Sequence, residues 1–385
     1  MSAIFGTYNF DNQPVTSSQI EAMSNILVHR GNDEMRIWTD KNIGLGHRMN
    51  WTTPESLHEK LPKTFHNGNL TITADARIDN RDELLKQLEI RQSKDEIITD
   101  SEIILFAYEK WGEECPEKLL GDFSFSIWDK QRNFLFCARD HFGIKPFYYY
   151  ASKKLFAFAT EIKALFCLPE IPRILNEEMV ANYLISNFED KSVTFYQNVL
   201  RLPPGCSLKI AKGNLTKRTY FELDPNRELS SLSNGEYAEG LREIFTEAVR
   251  CRMRSVKPIG SMLSGGLDSS SIACVARDLL QAEGGQNLPT FSVIYERITE
   301  CDERKYIDAT LAQGGFNPHL IPADNHSPLK NLEEISRHID SPCIGPGFSS
   351  TWEVNKQIVE TGVNIIFDGH DGDNAVSYGY NYLDE

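Results

Sequence analysis

The chain has 385 residues, 41% of them hydrophobic, so it is long enough for about two or three globular domains. Its formal net charge of -15 argues against broad contact with nucleic acid or an anionic membrane surface. The eight cysteines include no Cys-x-x-Cys pair, and no apolar run is long enough for a membrane helix. The first residues, MSAIFGTYNF, do not resemble a signal peptide, and we expect a cytoplasmic protein.

The first 215 residues combine short strand signals with helices. Strands are predicted at residues 123–128, 134–137 and 155–160. Leu202-Pro-Pro-Gly205 predicts a turn, and Thr99 with Glu102 has the spacing of a capping box at the start of a helix. We therefore predict an α+β domain over residues 1–215.

A polar linker at residues 222–235 precedes a second domain, which we place at residues 236–385. It opens with an amphipathic helix whose apolar residues recur at helical spacing: Leu241, Ile244, Phe245, Ala248 and Val249. Further elements are predicted in the order strand 259–263, helix 269–280, strand 290–295, helix 329–339 and strand 363–367. Such alternation is typical of a doubly wound parallel sheet with helices on both faces.

The segment MLSGGLDSSSIA, residues 262–273, joins the first of these strands to its helix. Its glycines would let backbone N–H groups approach an anion, towards which the helix also points its positive end. The alternative is a plain turn with Asp268 or Ser269 as the helix cap. Leu267 has the character of a buried residue. Ligands of parallel sheets bind beyond the carboxyl ends of strands, where this turn is expected.

A second acidic turn, IIFDGHDGDNAVSYGY at residues 365–380, follows the last predicted strand. Parallel strands end at one edge of a sheet, so Asp268 and Asp373 are predicted to converge on a hard cation between phosphates. The alternative is a pair of solvated acidic loops.

The segment Ser264–Ser270 resembles the pyrophosphate-binding loop of the asparagine synthetase family and lacks the Gly-Lys-Ser/Thr ending of a Walker A loop. The resemblance implies an adenine nucleotide alpha hydrolase-like sheet, with ATP and Mg²⁺ used to convert a carboxylate to an acyl adenylate that an amine attacks. It implies that Asp268 and Asp373 bind Mg²⁺. It also implies the following contacts with ATP and its pyrophosphate: Leu263, Ser264, Gly265, Gly266, Asp268, Ser269, Ser270, Val293 and Gly369.

The resemblance extends into the first half through HRGND at 29–33, LGHR at 45–48, TDSE at 99–102 and RDHFGIKP at 139–146. This half is similar to a class II glutamine amidotransferase domain, an N-terminal-nucleophile αββα sandwich. Glutaminases of that class need a Cys after the initiator Met, whose removal frees an amine that acts as base. The present chain has Ser2, which the same amine would activate poorly.

A second departure lies at the oxyanion hole. The Asn and Gly of the family are Asp75 and Ala76 here, and a carboxylate facing an oxyanion would repel the charge to be stabilised. We therefore predict a glutaminase-inactive scaffold. Arg48 and Asp100 are interpreted as relics of glutamine binding or as charges that hold the fold.

Without ammonia from glutamine, the amine would come from the substrate, as in β-lactam synthetases and lasso-peptide macrolactam cyclases. Gly369-His370-x-Gly-Asp looks like the lasso-cyclase form, and the His370 imidazole would accept the proton of the amine. Alternatively, His370 only bonds its own turn. A lasso-type cyclase joins the N-terminal amine of a peptide to an Asp or Glu side chain, and a precursor-processing protease is its expected partner.

Two other functions stay open: an asparagine synthetase-like enzyme that uses free ammonia or glutamine on a small carboxylate, and a non-enzymatic remnant. Members of the family usually continue beyond the equivalent of Glu385, so we interpret the second domain as C-terminally shortened.

Overall fold

A computed structural model describes residues 1–65, 68–91, 97–224, 226, 232–325, 327, 329–342 and 347–372. The chain divides into two compact units, Met1–Arg227 and Glu228–Glu385. Among the helices of the described ranges, none has both the length and the apolar character needed to cross a membrane.

The described part of the first unit contains two six-stranded antiparallel sheets and five α-helices. In chain order the elements are β1 (Ala3–Asn9), α1 (Ser17–Ile26), β2 (Glu34–Asp40), β3 (Ile43–Met49), β4 (Lys63–Phe65), β5 (Leu70–Ile78), α2 (Arg81–Gln87), α3 (Asp100–Trp111), β6 (Gly121–Asp129), β7 (Phe134–Arg139), β8 (Tyr148–Ala151), β9 (Leu155–Ala159), α4 (Ile162–Leu165), α5 (Glu177–Leu184), β10 (Val199–Arg201), β11 (Cys206–Ala211) and β12 (Asn214–Thr219). The strand orders are β10-β8-β9-β1-β3-β2 and β12-β11-β7-β6-β5-β4.

The two sheets stack face to face, and helices cover their outer faces. Alternation along β6 directs Phe123 and Phe125 to a core shared with α3, while Trp128 joins the core between the sheets. On the outer face of the other sheet, β1 and β9 pack against α1 and α4. This four-layer arrangement confirms the predicted αββα sandwich.

The start of α3 has the predicted capping box. The Thr99 hydroxyl accepts the N–H of Glu102, and the Glu102 carboxylate accepts the N–H of Thr99 at 2.8 Å.

The second unit has a four-stranded parallel sheet with the order β15-β14-β13-β16 in its described part. Its elements are α6 (Asn234–Arg252), β13 (Ile259–Met262), α7 (Leu267–Ala282), β14 (Leu288–Ile294), α8 (Arg304–Leu311), β15 (Phe316–Pro322), α9 (Leu332–His338), α10 (Gly347–Glu360) and β16 (Ile365–Phe367). Residues of α6, α7 and α8 pack on one face of the sheet, and residues of α10 pack on the other. The predicted doubly wound sheet is therefore confirmed.

The predicted apolar stripe of α6 is only partly covered. Val249 is buried in the core, whereas Leu241 is 53% exposed and Ile244 is 71% exposed. Helical spacing therefore identified the stripe, but burial of the whole stripe does not follow from it.

Candidate functional site

The turns after β13 and β16 meet at one edge of the parallel sheet. These strands are direct neighbours, with Ser261 paired to Phe367, so both end at the same edge. A Cβ atom at Gly372 would lie 2.3 Å from Cγ of Asp268. The Asp268 side chain therefore packs directly against the second turn. Asp373, the other predicted magnesium ligand, lies outside the described residues.

Two glycines allow the approach of neighbouring segments at this edge. Gly265 has a φ of +86°, and a Cβ there would lie 2.6 Å from Cβ of Tyr306 in α8. A Cβ at Gly369 would lie 2.7 Å from the backbone nitrogen of Ser269. Gly265 is thus required by both its backbone conformation and its packing, and Gly369 by its contact with the start of α7.

Serine hydroxyls fix the conformation of the loop between β13 and α7. Ser269 Oγ accepts the N–H of Ser264 at 3.3 Å, lies 3.0 Å from Ser264 Oγ and donates to the carbonyl of Gly266. The Thr310 hydroxyl of α8 donates to Ser270 Oγ at 3.2 Å. These bonds tie the loop to itself and to a neighbouring helix.

The helix α7 begins without a capping side chain. Gly266 occupies the N-cap position and makes no side-chain hydrogen bond to the helix, so the alternative of a cap at Asp268 or Ser269 is wrong. The expected burial of Leu267 is also wrong, because this first helical residue is 88% exposed. The first N–H groups of a helix have no partner within the helix. Uncapped, they suit an anion such as pyrophosphate.

The residues predicted for adenine and ribose differ in accessibility. The Leu263 side chain is fully buried, its N–H donates to the Phe291 carbonyl at 2.9 Å, and its carbonyl accepts the Ser292 hydroxyl at 2.6 Å. Val293 in β14 is partly buried. Any contact of Leu263 with a nucleotide would therefore involve backbone groups that are already hydrogen-bonded.

A cavity of about 380 Å³ lies between α6, α7 and the turn after β16, within the size range of small-molecule sites. It is lined by Ala238, Leu241, Arg242, Phe245, Asp268, Ser271, Ile272, Asp368, Gly369, His370 and Gly372. The loop carboxylate and the predicted catalytic histidine thus line one mainly apolar cavity.

His370 combines features of both interpretations offered by the sequence. Its backbone N–H donates to Asp368 Oδ1 at 3.1 Å, which is a local turn bond. Its side chain is 84% exposed, and Nε2 lies 3.9 Å from Asp371 Oδ1. The imidazole is therefore open to a ligand in the cavity.

The chemistry of this edge fits a magnesium-bound nucleotide. Asp268 supplies a carboxylate, which is a preferred ligand of Mg²⁺, beside the uncapped end of α7. Within the described ranges, no cluster of three or more His, Cys, Asp or Glu side chains could hold a metal by itself. Phosphate oxygens commonly complete magnesium coordination in nucleotide sites.

In the first unit, Ser2 is buried at the start of β1. Its Oγ accepts the N–H of Asn50 at 3.0 Å and lies 3.7 Å from Sδ of Met49. Burial lowers the pKa of the Met1 amino group; Lys145 acts in the same direction, while Asp75 opposes the change. The Ser2 hydroxyl is therefore held by the backbone of the strand end at Met49 and Asn50.

The residues at the predicted oxyanion position lie in β5. Asp75 is buried, and its Oδ1 forms an ion pair with Nζ of Lys145 at 2.8 Å. Its Oδ2 is buried without a hydrogen bond, and Ala76 is partly buried. The repulsion argued from the sequence therefore needs correction, because Lys145 compensates the Asp75 charge. Sequence reasoning missed this partner, although Lys145 lies in the quoted segment at 139–146.

Arg48 and Asp100 both have partners inside the first unit. Nε of Arg48 donates to the Ser24 carbonyl at 2.7 Å, and burial lowers the pKa of its guanidinium. Asp100 is buried at the start of α3 and forms an ion pair with Arg81. The structure thus gives both charges a role in holding the fold.

Comparisons with known proteins agree with this two-part organisation. The glutamine amidotransferase domain family matches residues 1–221, and the asparagine synthase family matches residues 240–385. Asparagine synthetase [glutamine-hydrolyzing] 3 of Bacillus subtilis is 29% identical over 81% of this chain and 50% of its own length. For asparagine synthetase [glutamine-hydrolyzing] 1 of the same organism, the identity is 29% over 100% of this chain and 60% of that protein. Amidase chyE of Penicillium rubens is 27% identical over 92% of this chain and 54% of its length.

The stacked sheets of the first unit and the glycine loop of the second define a class II amidotransferase-type domain followed by a synthetase-type α/β domain. The chain belongs to the asparagine synthetase family. It spans between half and three fifths of the length of these three relatives.

Proposed function

We propose that the second unit binds ATP with Mg²⁺ and forms an amide bond through an acyl adenylate, using an amine of the substrate itself. The reaction would be a macrolactam cyclisation of the lasso-peptide type, without glutamine hydrolysis. The observation that carries this proposal is the contact between the Asp268 side chain and Gly372, because it joins the glycine loop to the turn that contains His370.

In this mechanism the uncapped N–H groups of α7 hold the departing pyrophosphate. Asp268 would hold the metal together with Asp373. Mg²⁺ would neutralise charge on the phosphates. The substrate carboxylate displaces pyrophosphate from ATP, and the amine then displaces AMP from the acyl carbon. His370 accepts the proton that the amine loses, because a neutral imidazole is a suitable base near physiological pH.

The proposal that glutamine is not hydrolysed rests on the partners of the residues at the former glutaminase site. The Ser2 hydroxyl accepts a backbone N–H, and Lys145 is paired with Asp75. A serine hydroxyl is also much less ionised than a thiol near neutral pH, so an α-amine would generate little nucleophile from it.

An asparagine synthetase-like reaction with ammonia is the second candidate. The names of the curated relatives favour it, since two of them are glutamine-hydrolyzing asparagine synthetases. This reaction would use aspartate and free ammonia or glutamine, with no peptide. The two candidates share the nucleotide site and differ in the source of the amine.

Pyrophosphate release from ATP with Mg²⁺ distinguishes these functions. The conditions are no substrate, aspartate with ammonium, aspartate with glutamine, and peptides with N-terminal Gly and an internal Asp or Glu. Release with a peptide alone supports cyclisation, release with aspartate and ammonium supports the second candidate, and no release in any condition supports a non-enzymatic remnant. Asp268→Asn should abolish release, and Ser2→Ala should leave it unchanged. Glutamine hydrolysis that is lost in Ser2→Ala would contradict the account of the first unit.

A further inference from the structure

Two neighbouring cavities along the seam between α6 and α7 share Arg242, and we treat them together as one groove that starts at the proposed reaction site. It is lined by Leu241, Phe245 and Arg250 of α6 and by Ile272, Val275 and Leu279 of α7. Its near end is the cavity of about 380 Å³ that also contains Asp268 and His370. Its far end is a cavity of about 660 Å³, and Arg242 borders both. We refer to this feature as the α6–α7 groove.

The length of the α6–α7 groove exceeds what a single amino acid occupies. Its lining on α7 runs from Asp268 to Leu279, and a helix rises 1.5 Å per residue, so the groove is roughly 17 Å long. An extended polypeptide advances about 3.3 Å per residue and would fill this length with about five residues. Free aspartate would leave most of the groove empty.

The near end of the groove is apolar where it is open to water. Leu241 is about half exposed, and Phe245 and Ile272 are partly buried beside it. Covering such a surface with an apolar side chain is favourable, because it removes apolar area from water. The near end therefore suits an apolar residue next to the reacting carboxylate.

The far end of the groove carries several charged side chains, most of them in ion pairs. Glu239 pairs with Arg242 at 2.8 Å, and Glu247 pairs with Arg250. Glu243 and Asp278 also line this end, and Asp278 pairs with Arg277 at 2.8 Å. A lipid chain would bury these charges, at a high cost in desolvation, whereas peptide groups and polar side chains can hydrogen-bond to them. The far end thus favours a polypeptide over an acyl chain.

We propose that the α6–α7 groove binds the substrate as an extended peptide, with an apolar side chain of that peptide in the near end. This inference rests on the proposed function, since it takes Asp268 and His370 as the reacting end. Leu241 is then a residue that determines substrate specificity. The substrate class is a peptide carboxylate with apolar neighbours.

Fluorescence anisotropy with two labelled peptides tests the groove directly. Gly-Leu-Phe-Leu-Asp-Leu should bind at least roughly tenfold more tightly than Gly-Ser-Asn-Ser-Asp-Ser, because only the first places apolar side chains in the near end. Leu241→Asp should weaken binding of the first peptide by a similar factor. Ile244→Asp is the matched control: Ile244 is an exposed apolar residue of the same helix that does not line the groove, so its replacement should leave the affinity unchanged.

Equal affinity for the two peptides, or binding of neither, would overturn the inference. Equal effects of Leu241→Asp and Ile244→Asp on peptide affinity would also overturn it. A dimer that is seen in sedimentation velocity and dissociates in Leu241→Asp would do the same, because a second copy of the chain would then occupy the groove. Calorimetry with Mg²⁺ and a non-hydrolysable ATP analogue is a separate measurement. If the protein distinguishes the two peptides but does not bind the nucleotide, the proposed function is rejected and the groove is not. If it binds the nucleotide but does not distinguish the peptides, the groove is rejected and the proposed function is not.

Discussion

Two buried titratable side chains are expected to give the stability of the first unit opposite dependences on pH. Burial, with the nearby Asp100 carboxylate, raises the pKa of Glu59 from 4.5 to about 7. Burial lowers the pKa of His47 from 6.5 to about 4, although Asp75 acts in the opposite direction. The folded state therefore favours the uncharged form of both side chains.

The sign of each effect follows from which state binds more protons. Protonated Glu59 favours the folded state, so its contribution is complete below pH 4.5 and is lost as the pH rises to about 7. Neutral His47 favours the folded state, so its contribution is complete above pH 6.5 and is lost as the pH falls to about 4. One unit of pKa difference between the folded and unfolded states corresponds to about 1.4 kcal/mol, so each side chain contributes about 3 kcal/mol to the free energy of unfolding. Between pH 4.5 and 6.5 the two contributions change in opposite directions and nearly cancel.

Single substitutions should separate the two dependences. Glu59→Gln keeps an acceptor for the Ser101 N–H, which lies 2.8 Å from Oε1, and His47→Gln keeps a donor to the Ala74 carbonyl. Between pH 4 and pH 8, the free energy of unfolding of Glu59→Gln relative to the parent should rise by about 3 kcal/mol, and that of His47→Gln should fall by about 3 kcal/mol. Urea unfolding monitored by tryptophan fluorescence reports mainly on the first unit, which holds four of the five tryptophans. Relative stabilities that do not change with pH would refute the reasoning.

Four further substitutions test the two sites. Gly265→Ala should abolish binding of ATP in calorimetry, because it combines a positive φ with a Cβ 2.6 Å from Cβ of Tyr306. Gly284 also has a positive φ, but a Cβ there would meet no atom within 4 Å. Gly284→Ala should therefore lower the free energy of unfolding by about 1 kcal/mol and leave ATP binding intact. Loss of ATP binding in both variants would contradict this distinction. Lys145→Met should lower the free energy of unfolding of the first unit by about 3 kcal/mol, because it leaves the Asp75 carboxylate buried without its ion-pair partner. Adding Asp75→Asn to this variant should restore much of the lost stability. Additive losses in the double variant would show that the pair does not interact.

The sheet of the second unit was largely predictable because its central strands have strong local signals. The strand at Ile259–Met262, the loop at 264–266 and helix α7 follow from an apolar run, two glycines and helical spacing. The strand β15 was missed, because its prolines Pro318 and Pro322 weaken the pattern. Proline is tolerated there because β15 lies at an edge of the described part of the sheet.

Other features depend on contacts that one sequence does not specify. Asp75 and Lys145 are 70 positions apart and pair only because the fold brings them together. The exposure of Leu267 follows from its position as the first residue of α7, where its side chain lies outside the apolar core. Spacing alone therefore identified the segments of the candidate sites but not the partners of their side chains.

The two units differ in how their polar groups at the candidate sites are satisfied. In the first unit, Ser2, Arg48 and Asp100 all bond to groups of the same unit, so a ligand would have to displace bonds that already exist. In the second unit, the helix that begins at Leu267 has no capping side chain, and its first N–H groups gain a bond when an anion binds. Binding at that edge adds hydrogen bonds without breaking any to a capping group, whereas binding at the other site exchanges bonds. This difference is the physical reason to expect nucleotide chemistry in the second unit and a scaffold in the first.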